Sequence, residues 1–174
     1  MEHIEDICTP LGKHALRRPK AGMKSPLDRI AVVSGPGGFM SLRLSAAIVN
    51  TLSWGLGIPV ASIHLSDLLF ERASTKDVLW MHSTKRELFF MKGFGASASI
   101  APDITTITLS DATALLARLP SPISVIGELL PEQRSALPAL SIGELQAYST
   151  MLPAFLAKQT YTQHLVEPWY GRGI

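Results

Sequence analysis

Ile30-Ala31-Val32-Val33-Ser34-Gly35-Pro36-Gly37-Gly38-Phe39-Met40-Ser41-Leu42-Arg43, followed by a run rich in small residues up to Gly57, is the stretch that decides the fold. Ile30, Ala31, Val32 and Val33 form an unbroken apolar run, the pattern of a strand buried on both faces in a mostly parallel sheet. Gly35, Gly37 and Gly38 admit backbone angles closed to other residues, and Pro36 stiffens the corner. A helix is expected over 41–54, closed by Gly55 and Gly57, with Pro59 leading into a second strand over 60–63. Strand, loop, helix, strand is a βαβ unit.

The helix of this unit is apolar on two faces. Leu44, Ile48 and Leu52 line one, and Leu42, Ala46, Val49 and Ser53 the other. One face belongs on its own sheet. The second needs another cover, either a helix of the same chain or a partner protein, and Ser45, Ala46, Ala47 and Ser53 are small enough to let a second helix come close. With the helix starting at Ser41, Arg43 stands in the first turn, where the dipole disfavours a cation, so it is expected to reach an acidic group, a loop carbonyl or a partner carboxylate.

Outward from this unit, the chain has 174 residues, 47% of them hydrophobic and 17% charged, which suits one compact domain or two small lobes. A formal net charge of +2 does not by itself indicate a nucleic-acid groove. Basic residues do crowd between Lys13 and Lys24, as a solvated loop or as a contact for RNA or an acidic partner. The single cysteine, Cys8, excludes an internal disulfide framework and fits a reducing cytoplasm. No stretch has the length and polarity of a membrane span or signal peptide.

Along the chain, residues 1–11 form an amphipathic pattern with Ile4, Ile7, Cys8 and Leu11 on one face. A basic connector follows to Pro26. Beyond the βαβ unit, Ser66 and Asp67 can cap a helix over 68–73. Strands are expected at 78–81 and 87–91, joined as a hairpin, then an exposed turn at 93–101. A strand at 104–109, a helix at 112–119 and a strand at 123–126 follow. Residues 131–140 are expected as loop or broken strand. A helix is expected from Ser141, with Glu144 in a capping box, to about Lys158, before an extended aromatic tail. The expected domains are a first lobe, 1–73, and a smaller second lobe, 74–174.

The chemical motifs are few. The loop Gly35-Pro36-Gly37-Gly38 stands before a helix, where it can serve as a structural corner or as an anion cradle. It lacks the Gly-Lys-Ser/Thr of a P-loop and the dinucleotide fingerprint. Ser34 lies outside a Gly-x-Ser-x-Gly frame. His3, His14, His64, His82 and His164 are scattered without metal-ligand spacing, and His64 fits a hydrogen-bonded strand end. No catalytic residue and no metal ligand is assigned.

Three segments together resemble the TsaB (YeaZ) family: Gly35-Pro-Gly-Gly-Phe-Met-Ser-Leu-Arg43, Leu52-Ser-Trp-Gly-Leu-Gly-Ile-Pro59 with Ile63-His-Leu-Ser66, and the tail Glu167-Pro-Trp-Tyr-Gly-Arg172. Glu2-His3 resembles the start of that family's first helix. The resemblance implies an α/β fold of the actin-like ATPase (RNase H-like, ASKHA) type with two lobes. It implies a non-catalytic partner of a TsaD-like enzyme in making threonylcarbamoyladenosine in tRNA, joined through a bundle of the first two helices. The implied partner interface is Ile4, Ile7, Leu11, Arg43, Leu44, Ala47, Ile48 and Leu52. A TsaE-like ATPase and tRNA would be reached through the complex, and self-association as a homodimer is left open for the protein alone. The His-x-x-x-His motif of TsaD has no counterpart here.

The sequence also departs from the family pattern. The opening strands with their Asp-Thr-Ser motif are not represented, so the resemblance implies an N-terminally truncated first lobe, with a true start upstream of Met1 or a reduced copy. Gly38, Met40 and Ser41 replace Ser, Thr and Gly, and Ser83-Thr84-Lys85 replaces Asp-x-Arg. These changes argue against ATP or ADP binding, and no cofactor is expected. The alternative function is a small nucleotide-binding or peptidase-like enzyme of the same fold class, using Gly35, Gly37 and Gly38.

Overall fold

The computed structural model describes residues 27–85, 87–119, 123–137 and 141–171. The expected helix at 1–11, with Ile4, Ile7, Cys8 and Leu11, and the basic stretch Lys13–Lys24 lie outside the described residues. Contacts divide the chain into two compact units. Of the described residues, one takes those up to Ile63 together with the tail from Gln159, and the other is His64–Lys158. The division differs from the expected 1–73 and 74–174: the tail returns to the first unit, and residues 64–73 join the second.

The first unit is the βαβ stretch and its strap. β1 (Ile30–Gly35) pairs with β2 (Val60–His64) in a two-stranded sheet. Ile30 N–H donates to Pro59 O at 3.0 Å and Ser34 Oγ to Ile63 O at 3.2 Å, one sequence offset at both ends, as strands running in the same direction require. β1 is half-buried up to Ser34 rather than enclosed on both faces, and β2 is its sole sheet neighbour among the described residues. α1 (Phe39–Leu56) starts and ends two residues beyond the expected bounds. Gly57, at φ 68°, carries the left-handed turn that ends it, and its N–H donates to Ser53 O. A side chain at Gly55 would meet nothing, so that glycine is carried inside the helix.

α1 turns Leu42, Ala46, Val49 and Ser53 inward, and Val49 packs with Val60 and Val166. The tail strap explains why residues after 158 belong here. Val60 and Thr162 exchange backbone bonds at 2.8 and 2.9 Å, Asn50 clamps Val166 through both amide atoms at 2.8 and 3.0 Å, and Trp169 N–H donates to Ser34 O at 2.8 Å. These partners are far apart in sequence, which local periodicity does not register.

The second unit is built on a five-stranded mixed sheet. Its strands are β3 (Val78–Lys85), β4 (Leu88–Phe94), β5 (Thr105–Thr108), β6 (Ser124–Ile126) and β7 (Ser141–Ile142), in the order β5-β4-β3-β6-β7. β3 and β4 form the expected hairpin, each longer than anticipated, with a register irregularity between Ser83 and Lys85. β4–β5 is antiparallel, whereas β3–β6 and β6–β7 are parallel. Side-chain alternation gives the sheet two faces. Leu79, Met81, Phe89 and Met91 pack against Ala112 and Leu116 of α3 (Leu109–Leu116) to make the main core. On the other face α2 (Leu65–Arg72) sits over the hairpin, with Phe70 stacked on Phe94 at 4.2 Å and Lys92 paired with Asp67 at 2.9 Å.

Three expectations are corrected in this unit. Residues 131–136, expected as loop or broken strand, form α4 (Pro131–Ala136), started by Pro131 and by Gln133, whose side chain accepts from Leu130 N–H. The helix expected from Ser141 is shorter. Ser141–Ile142 joins the sheet as β7, Gly143 N–H donates to Val125 O, Gln146 N–H donates to Arg72 O, and helix α5 (Tyr148–Ala157) begins only after them. Sheet pairing there outweighs the capping-box pattern. The 93–101 segment is not an exposed turn: a 3-10 helix at Gly95–Ser99 follows β4, and Ser97 and Ala101 are buried.

Candidate interaction surface

The outward side of α1 is the most conspicuous surface of the first unit. Met40, Leu44, Ile48 and Trp54 are 71, 62, 50 and 82% exposed. Ala47 is exposed beside them, and Leu52 is half-buried. At 100° per residue, Met40, Leu44, Ala47, Ile48 and Trp54 fall on one broad stripe, opposite the buried row of Leu42, Ala46, Val49 and Ser53. Large apolar side chains held in water in such a contiguous band make this side of the helix a candidate interaction surface. Leu44, Ala47 and Ile48 thus sit together on it, with Arg43 at its edge and Leu52 turned partly inward. Ile4, Ile7 and Leu11 lie outside the described residues.

Helix extension moves Arg43. With Phe39 as the first helical residue, Arg43 is in the second turn, where the dipole penalty has faded. Its guanidinium lies over the Phe39 ring, 5.2 Å from the centroid, and Phe39 in turn meets Tyr170 of the tail at 5.2 Å. Phe39, Met40, Trp54 and Tyr170 were absent from the expected interface. Spacing held the signal for two of them, since Met40 is four residues before Leu44 and Trp54 is seven after Ala47. Tyr170 is brought in only by the strap.

The glycine loop divides into different roles. Gly35 ends β1 at φ 151°, and a Cβ there would collide with the Trp169 carbonyl, so this glycine is required by the tail's close approach. A Cβ on Gly37 would press on Leu42, while on Gly38 it would meet only Ser41. Gly38 is the extended N-cap of α1, with no side-chain cap bond and no acidic residue in the first turn. Gly35 and Gly37 thus fit the corner to the tail and to the helix, while Gly38 faces no close neighbour beyond Ser41.

His64 is the N-cap of α2. Its Nδ1 accepts Ser66 N–H at 3.1 Å and lies 2.7 Å from Ser66 Oγ, as expected of a hydrogen-bonded strand end. Burial pushes its pKa down to about 4, with Lys92 and His82 adding to the effect against the pull of Asp67. His82 is also lowered by burial, opposed by Glu128. Trp80 lies between the two imidazoles, edge-on to His64 at 5.5 Å and stacked with His82 at 5.9 Å. No group of His, Cys, Asp and Glu among the described residues has the arrangement to hold a metal ion. No helix among them is long and apolar enough to cross a membrane.

Comparison with known proteins places this architecture. Residues 2–139 match the family described as TsaD, tRNA N6-adenosine threonylcarbamoyltransferase. The chain belongs to this family. Among curated proteins it is similar to the tRNA threonylcarbamoyladenosine biosynthesis protein TsaB of Buchnera aphidicola, with 31% identity over 88 residues, 48% of this chain and 39% of that protein. The chain thus matches well under half the length of that relative. Among solved structures, YeaZ from Pseudomonas aeruginosa superposes with a TM-score of 0.51 at 17% identity, covering 84% of this chain and 76% of that one. A second structure, of a protein with similarity to peptidase YeaZ from Pseudomonas aeruginosa, gives 0.49 at 14% identity, covering 97 and 81%. Within the TsaD family the chain is TsaB/YeaZ-like, with the two-lobed actin-like, RNase H-like fold.

Proposed function

We propose that the protein is a non-catalytic scaffold in tRNA threonylcarbamoyladenosine formation, binding a TsaD-like enzyme through the outward stripe of α1. The stripe itself carries the reading: Met40, Leu44, Ala47 and Ile48 are exposed on a helix whose other side is already committed to β1, β2 and the tail. A partner helix seated over Ala47 would remove that apolar area from water, each Å² contributing roughly 25 cal/mol before the entropic cost of association. The name of the Buchnera relative supports the pathway, and the lack of a His-x-x-x-His motif supports an accessory rather than a catalytic part.

In this role the protein needs no nucleotide or metal of its own, acts beside other soluble proteins of the cytoplasm, and meets tRNA and a TsaE-like ATPase only through the complex. Homodimerisation through the same stripe would compete with the partner. Size-exclusion chromatography and calorimetry with the TsaD-like protein of the same organism test the reading. A heterodimer that Ile48→Asp abolishes is expected. Absence of a complex with the unaltered chain overturns it.

A further inference from the structure

α1 carries a single charge along its 18 residues, and that charge is Arg43. Among the described residues no carboxylate pairs with it; the ion pairs there are Lys92–Asp67 and Lys158–Glu71. Its guanidinium is nevertheless held in place. It lies over Phe39, Phe39 is tilted 35° against Tyr170, and Tyr170 follows Trp169, whose N–H is tied to Ser34 O. Asn50 fixes the same tail segment further back through its two bonds to Val166. Contact with the Phe39 ring uses none of the guanidinium N–H groups as hydrogen-bond donors to a carboxylate, and those N–H groups form the fork that receives a carboxylate through two parallel bonds.

We propose that Arg43, on the Phe39–Tyr170 platform, is the polar latch of the α1 surface and takes an Asp or Glu carboxylate of the partner. The inference rests on the reading above and adds a requirement to it. The partner element is a helix with an apolar stripe for Met40, Leu44 and Ile48, carrying an acidic side chain level with the second turn of α1. The apolar stripe supplies area without register, whereas one charge at one end fixes which way the partner lies and excludes a helix presenting Lys or Arg there. The tail thereby takes part in partner choice without being part of α1.

Titration of the TsaD-like protein against the full chain, at several salt concentrations, tests this with four variants. Arg43→Gln is expected to weaken binding about tenfold and to flatten its salt dependence, because a charge-assisted pair is lost. Arg43→Lys should recover only part of the loss, since an ammonium lacks the planar fork, and Tyr170→Ala should weaken binding by about threefold through loosening of the platform. If Arg43→Gln binds within about twofold of the unaltered chain while Ile48→Asp still abolishes the complex, the latch is wrong and the α1 reading stands. A loss at Arg43→Gln with unchanged salt dependence also overturns the latch. If Ile48→Asp has no effect, the α1 reading falls and takes the latch with it.

Discussion

The two units handle apolar surface in opposite ways. In the His64–Lys158 unit, a five-stranded sheet is covered on one face by α3 and on the other by α2, and Val78, Leu79, Trp80, Met81 and Phe89 are fully enclosed. In the unit containing β1 and α1, a two-stranded sheet and a tail strap cover one side of a long helix and leave the other side in water. A residue's hydrophobicity therefore has different meanings in the two. Side chains facing the five-stranded sheet hold that unit together, whereas Leu44 and Ile48 stand outside any core and are open to the contact proposed above.

Truncations in the two regions give the sharpest test of this contrast. Phe89→Ala is expected to cost about 3–5 kcal/mol, since it empties a filled core, while Leu44→Ser should change stability by less than about 0.5 kcal/mol. Denaturant unfolding read by circular dichroism measures both. Comparable losses would mean that the outward face of α1 is already covered within the chain. A smaller effect is expected from Gly35→Ala. It forces a Cβ toward the Trp169 carbonyl at a left-handed φ, and should cost about 2 kcal/mol by displacing the tail strap. Hydrogen exchange at the Trp169 N–H should accelerate, while amides of β3 and β4 keep their protection.

A smaller, pH-dependent effect belongs to the unit of His64. Its pKa in the folded chain is about 4, below the ordinary 6.5, so the unfolded chain binds the proton first. The stability that His64 contributes is therefore full above pH 6.5 and is lost as pH drops from about 6.5 to 4. His82 acts in the same direction. Because His64 is only half-buried, the loss is of order 1 kcal/mol. His64→Asn, which can still cap α2, should flatten that slope in urea melts across the range.

How far the sequence foretold these features depended on the distance between the residues involved. The βαβ unit was legible because strand, glycine corner and helix follow one another within one stretch, and the two apolar rows of α1 could be counted directly. His64 as a strand end was legible for the same reason. The 141–158 region was not. Glu144 sits three residues after Ser141, a good local capping pattern, yet the backbone there bonds to Val125 and Arg72. The α4 segment was missed because its start depends on a proline and a glutamine rather than on apolar period. Of the candidate surface, Leu44, Ala47 and Ile48 were visible as a helical row, while Tyr170 was invisible because it arrives from the other end of the chain.

The sequence by itself determined the unit around Gly35 to Gly38 and the existence of a second apolar row on the helix that follows, because those are matters of period and of local backbone freedom. Only the tertiary structure decided which row is buried, since both are apolar and packing against Val60 and Val166 chooses between them. It also decided why Gly35 is a glycine. The reason is steric and non-local: the tail carbonyl at Trp169 occupies the place where a side chain would stand.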